Sequence, residues 1–173
     1  MNTTKIAGEL TPLKADKHIA GKPVFTFAEG KKAGIVKDVL FDANFESLEG
    51  ISLGKEGIFS RSSQFVPVSQ IKMIGEDIIL IESVSSIETK DKQELETFIA
   101  LTQLYKKEVV DRGIKLAIFG DVIISPDAKI LGITFSKALA EGKINSVDIL
   151  SCDAIKEIGG KDDPQIHIDL DKF

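Results

Sequence analysis

The sequence says much the same thing twice. Residues 37–50 read KDVLFDANFESLEG and residues 120–132 read GDVIISPDAKILG; further on, PVSQIKMIG at 67–75 is answered by SCDAIKEIG at 151–159. The register holds closely, with the two Asp-Val pairs 83 residues apart and the two Ile-Lys pairs 84 apart. Such a period is too long for a solenoid unit and suits a small domain. A chain of 173 residues has room for two of them.

The material for two cores is present. Hydrophobic residues make up 43% of the chain, but Trp is absent and Tyr occurs once against ten Phe, so the cores are expected from Ile, Val, Leu and Phe. Charges of both signs are interspersed and sum to −5. That is an ordinary soluble surface, with no overall electrostatic footprint for nucleic acid or anionic lipid. The one cysteine, Cys152, cannot form an internal disulfide, which suits a reducing compartment. No apolar run approaches the roughly 20 residues needed to cross a bilayer. The start, MNTTKIAGEL, lacks the basic and then apolar regions of a secretory signal. A soluble, cytoplasmic protein is the expectation.

Short strands separated by Gly and polar turns dominate the pattern. KPVFTF (22–27), AGIVKDVLFD (33–42), ISL (51–53), QFVPV (64–68) and DIILI (77–81) read as strands of a first unit. Pro67 then needs an unpaired edge or a bulge, and SQIKMIG reads as one 3₁₀ turn that points Ile71 and Ile74 inward. GIKLAIFGDVIIS (113–125), ILGITFS (130–136) and PQIHIDL (164–170) repeat the scheme, with Ile155 and Ile158 in the inward positions. Ala138–Ala140 reads as a helical turn.

Between the units the period changes. Asp91 with Glu94 forms a capping box, and Leu95, Phe98, Ile99, Leu101 and Leu104 form an apolar stripe at helical spacing. Lys92–Glu96, Lys107–Asp111 and Glu108–Arg112 are opposite charges at i,i+4. The spacing predicts a helix over 92–111. The expected fold is mainly β, two tandem small β barrels joined by an α-helix. Its divisions are an irregular lead-in at 1–21, a first barrel at 22–87, the connecting helix at 88–112 and a second barrel at 113–173.

Taken together these motifs resemble the PRC-barrel family. That domain type occurs in the cytoplasmic part of the photosynthetic reaction-centre H subunit and in the C-terminal part of the ribosome maturation factor RimM. The resemblance rests on Gly34, Asp38-Val39, Asp42, Gly50, Val66-Pro67 and IKMIG at 71–75 in the first unit. In the second it rests on Asp121-Val122, Asp127, Gly132 and IKEIG at 155–159. The second unit departs from the pattern at Gly120, which directly precedes Asp121, and at Ser151-Cys152, which replaces Pro67-Val68. The resemblance implies closed β barrels that serve as adaptors for other macromolecules, and it implies no catalytic residue set.

The residues themselves suggest little chemistry. His18 reads as a surface residue, and His167 shares a strand face with Asp169 but needs further converging ligands to hold a metal. Cys152 has no histidine near it in sequence to act as a base and reads as a buried small hydrophobe. Asp38 and Asp121 recur and read as caps for backbone amides. GKEG (54–57) and GG (159–160) lack the setting of a phosphate cradle. GKEGIFSRSSQF (54–65) is the nearest approach to a nucleic-acid surface, with Lys55, Arg61, Phe59 and Phe65. No catalytic, cofactor-binding or metal-binding residue is therefore assigned, and no cofactor is expected. The expected function is a non-enzymatic adaptor or scaffold that binds another protein, with a homodimer through the 92–111 helix as one form of association. An RNA- or ribosome-associated accessory factor is the alternative.

Overall fold

A computed structural model describes residues 12–54 and 63–172. The strands, in chain order, begin with β1 (Leu13–Lys14), β2 (Pro23–Thr26), β3 (Lys32–Phe41), β4 (Leu48–Gly54), β5 (Ser63–Pro67), β6 (Ile71–Ile74), β7 (Ile79–Ile81) and β8 (Glu88–Lys90). They continue as β9 (Ile99–Ala100), β10 (Glu108–Asp111), β11 (Ile114–Ile124), β12 (Ile130–Ala138), β13 (Leu150–Ser151), β14 (Ile155–Ile158) and β15 (Gln165–Ile168). Two single-turn helices, α1 (Lys92–Leu95) and α2 (Leu101–Leu104), lie between the halves.

The strands form two curled sheets of the same plan. The first runs β6-β7-β2-β3-β4-β5-β8 and the second β13-β12-β11-β10-β15-β14. In each, a long hairpin (β3–β4 or β11–β12) is flanked by a parallel pair, β2 with β7 or β10 with β15. Each ends in a short hairpin, β6–β7 or β14–β15. The expected mainly β class with barrel-like sheets holds. The i,i+3 burial of Ile71 and Ile74 comes from a bulge within strand β6, not from a 3₁₀ turn, which instead occupies Val68–Gln70. Ile155 and Ile158 are only half-buried, because they line a cavity between the units. The turn expected at Ala138–Ala140 is the end of β12 and its exit, and a 3₁₀ turn follows at Lys143–Ser146.

The recurring glycines are explained by close approach. A Cβ on Gly50 would lie 2.2 Å from the Val66 carbonyl oxygen and 2.7 Å from the Phe65 ring; on Gly132 it would lie 2.1 Å from the Leu150 carbonyl oxygen. Both contacts are with the next strand, which pairs at these residues. Gly50→Ala is expected to cost about 1–3 kcal/mol or more through overpacking, read as a lowered denaturation midpoint.

The connecting helix does not form. Its capping box is present, with Asp91 Oδ1 accepting from the Glu94 N–H and Glu94 Oε2 from the Asp91 N–H, each at 2.8 Å. Yet the helix stops after one turn. Ile99 and Ala100 extend instead and pair with Phe41 and Leu40 on β3. Thr97 and Ile99 are β-branched and surrender little by leaving the helix, while an open strand edge and the Asp38 carboxylate supply replacement hydrogen bonds. The stripe survives only in part, since Leu101 and Leu104 are buried but Leu95, Phe98 and Ile99 are half-exposed. Of the three i,i+4 pairs only Lys92–Glu96 forms, at 3.8 Å. Glu108 pairs with Lys115 at 2.8 Å, and Arg112 pairs with Asp171 and Asp111. A homodimer through a 92–111 helix loses its surface accordingly.

Residues 13–19, expected as irregular lead-in, contain β1 and a π-type turn at Ala15–Ile19. The two segments 13–19 and 99–104 are arms, and they are exchanged. The first arm precedes the first sheet in sequence but β1 pairs with Ile123 and Ile124 of the second. The second arm precedes the second sheet but β9 pairs with the first. The hairpin tips join the halves again: Ser47 bridges Lys129, with Leu48 N–H to Ala128 O and Ile130 N–H to Glu46 O both at 2.9 Å. Each tip carries a left-handed residue at the matching position, Phe45 (φ 56°) and Ala128 (φ 66°). These paired contacts describe an approximate two-fold relation between the units.

Candidate functional site

The recurring aspartates hold the exchanged arms. Asp121 Oδ1 accepts from the Asp16 N–H at 2.8 Å, and Oδ2 from the Lys17 N–H at 3.2 Å. Oδ1 also accepts from the Val122 N–H at 2.8 Å. Asp38 accepts from the Val39 N–H at 2.9 Å, from the Thr102 N–H at 3.2 Å and from the Thr102 hydroxyl. The Tyr105 hydroxyl donates to Asp16 and ties one arm to the other. Burial of its ring, with Asp16 beside it, pushes the Tyr105 pKa well above its ordinary value. Burial also raises the Asp121 carboxyl above its ordinary value, against the lowering effect of its three amide donors.

A second recurring device is a lysine at the entry to each sheet. Lys22 Nζ donates to Gly75 O at 2.7 Å and Lys107 Nζ to Gly160 O at 3.1 Å, so each lysine clamps the turn after the Ile-Gly motif. Lys107 is buried and also donates to Asp163 O. The repeat therefore extends to Lys-Pro-Val at 22–24 and Lys-Glu-Val at 107–109. This short echo was the signal that could have found the pair.

The other polar candidates are likewise engaged. His18 Nδ1 accepts from the Lys14 N–H at 2.8 Å within the first arm, and burial, then the neighbouring lysines, lowers its pKa. His167 Nε2 lies 3.2 Å from Asp163 Oδ2, while Asp169 accepts instead from the Asp171 N–H. Among the described residues no three His, Cys, Asp or Glu side chains are placed to hold a metal. Cys152 donates to Ile130 O at 3.4 Å, and burial pushes its thiol up to about 11. At neutral pH it is almost entirely the unreactive thiol. Alkylation of the native protein by iodoacetamide is therefore expected to be far slower than that of the unfolded chain, and equal rates would show the group exposed. Of the basic stretch at 54–65, residues 55–62 lie outside the described residues. Phe65 is core, buried and stacked on Phe98 with ring centroids 5.5 Å apart.

What remains open is a cleft of about 710 Å³ between the first sheet, the 92–103 segment and the turn at 158–161. Three of the five residues of the failed helix stripe line it: Leu95, Phe98 and Ile99 contribute apolar wall, and Lys37, Lys92 and Lys161 stand around it with Asp38 and Glu96. A smaller cavity of about 480 Å³ separates the tip residues Ala43–Glu46 from Cys152 and Ile155–Ile158. The cleft can receive an apolar group between charged rims and shows no arrangement of nucleophile, base and oxyanion donors among its named side chains.

No helix among the described residues is long and apolar enough to cross a membrane. A search of curated proteins finds no match to the chain. The family model of the PRC-barrel domain matches residues 14–87, in one copy that takes in the first arm from Lys14 and the first curled sheet as far as Ile87.

Proposed function

We propose that this protein is a non-enzymatic adaptor of the cytoplasm, built from a PRC-barrel unit and a diverged second copy, that binds another protein. The match of residues 14–87 to the PRC-barrel domain carries this reading, since such domains serve generally in protein interaction or ribosome processing. The geometry supports it. The recurring aspartates and lysines hold arms and turns, and the thiol is held unreactive. The cleft meanwhile offers apolar wall with a charged rim, the combination used at protein interfaces. The alternative, an RNA- or ribosome-associated factor, draws on the same domain type. Affinity capture on the full-length chain from its native cell, with and without nuclease, separates them. A protein retained in near-equimolar amount after nuclease supports the adaptor. Ribosomal RNA recovered with the chain, and lost with its proteins after nuclease, would replace it with the alternative.

A further inference from the structure

The repeated plan exposes a difference between the units at one sheet edge. In the first, β4 is covered on its outer side from Gly50 to Leu53 by β5, and β5 in turn by β8. In the second, the matching strand β12 is covered only at Gly132 and Ile133, by the two-residue β13. Over Thr134–Ala138, β12 pairs with β11 at Phe135, Lys137 and Ala138, with register shifts between them, and no described strand lies on its other side.

That edge is open to solvent. Ser136, Lys137, Ala138 and Leu139 are exposed, Leu139 at 42%, and Ile149 beside the end of β13 at 46%. Ile149 stands where Phe65 stands in the first unit, one residue before the strand pairing at Leu150 or Val66. Phe65 is covered there, by Phe98 and by Lys90 of β8. Ile149 has no such cover. Lys137 joins no ion pair among the described residues.

We propose that the Thr134–Ala138 edge of β12 is a docking site for an extended segment of a partner protein, added as an antiparallel strand that begins where β5 lies in the first unit, beside the counterparts of Ser52 and Leu53, and runs on toward Ala138. The inference deepens the adaptor reading and rests on it for the native partner. Unpaired strand N–H and C=O groups are a ready template for a further strand, and main-chain pairing supplies affinity while alternate side chains supply specificity. The segment fitted to this edge alternates in polarity. It sets an acidic side chain across from or diagonal to Lys137 and apolar side chains toward Leu139 and Ile149. An exposed lysine also deters undirected pairing with apolar edges.

A displayed library of random octapeptides selected against the full-length protein tests this. Enrichment of alternating sequences with one acidic residue is expected. The selected peptides should slow amide exchange at Thr134–Ala138, and should bind Lys137→Glu about tenfold more weakly. Lys137 is a surface residue, so the variant keeps the fold, which is checked by its denaturation midpoint. No enrichment overturns the proposal, as do peptides that bind Lys137→Glu equally well or protect the cleft residues Leu95–Ala100 instead. The two readings fail separately. A native protein retained equally by wild type and Lys137→Glu leaves the adaptor standing without this edge. Edge-binding peptides with no nuclease-resistant native protein leave the edge standing without the adaptor.

Discussion

Asp121→Ala is expected to destabilise the protein by about 3–5 kcal/mol and to loosen its first arm before the rest. The carboxylate accepts from three backbone amides, two of them on that arm. Hydrogen bonds to a charged acceptor contribute roughly 1.5–3 kcal/mol each, and water at the exposed Asp16 and Lys17 restores part of this. Leu13, Ala15 and Ile19 of the arm are fully buried, so detachment also exposes core. Amide exchange should rise more over 13–19 than over 101–104; an even rise would show that Asp121 supports the fold generally and not the arm. Asp121→Asn keeps an acceptor oxygen and should cost less, and its comparison with wild type carries a pH signature. The folded-state pKa is raised, chiefly by burial. The part of its stabilisation that is linked to titration is then complete below the unfolded value of about 3.9 and is lost as pH rises through the folded value, while the amide hydrogen bonds remain. The wild type should therefore lose ground to Asp121→Asn as pH climbs from about 4. A difference between them that is flat in pH would contradict the raised value.

Ile71→Ala should cost about 2–5 kcal/mol. Ile71 is 2% exposed and pairs with Ile81 at the short hairpin that closes the sheet. Its counterpart Ile155 pairs with Ile168 but is half-buried against the 480 Å³ cavity. Ile155→Ala should cost about half as much, because fewer contacts are lost and the cavity already exists. Against a total stability of about 5–15 kcal/mol, the first substitution can unfold the protein in mild denaturant. Equal midpoints for the two variants would show that the repeat is closer in packing than the exposure of Ile155 allows.

The strands were legible because their signals are local. β-branched runs and glycine turns placed β3 and β11 within a residue, although β4 begins at Leu48, three residues before the strand read at 51–53. Asp38 and Asp121 were legible as amide acceptors from their recurrence alone. The segment at 92–111 misled for a physical reason: two separate single turns, one with half-exposed Leu95 and one with buried Leu101 and Leu104, imitate one amphipathic helix. What broke the helix was an edge of β3 and a carboxylate more than sixty residues away in sequence, and no local pattern reports either. The exchange of arms was invisible for the same reason, since a segment's neighbour in sequence is ordinarily its neighbour in space. The cleft was not foreseen because it is bounded by the half-exposed part of the misread stripe.

The reciprocal arms have a genetic consequence. Two identical subunits that trade arms must accept every substitution twice, once in each copy. When the subunits are joined in one chain, a substitution falls on one copy only, and the exchanged contacts still keep the pair together. Here the two units already differ: the second has another glycine spacing, Ser-Cys at the place of Pro-Val, and the two-residue β13 where the first has the five-residue β5. The arm contacts, Asp38 with Thr102 and Asp121 with Asp16 and Lys17, tie the two units to each other, so a substitution at any of them is felt in both.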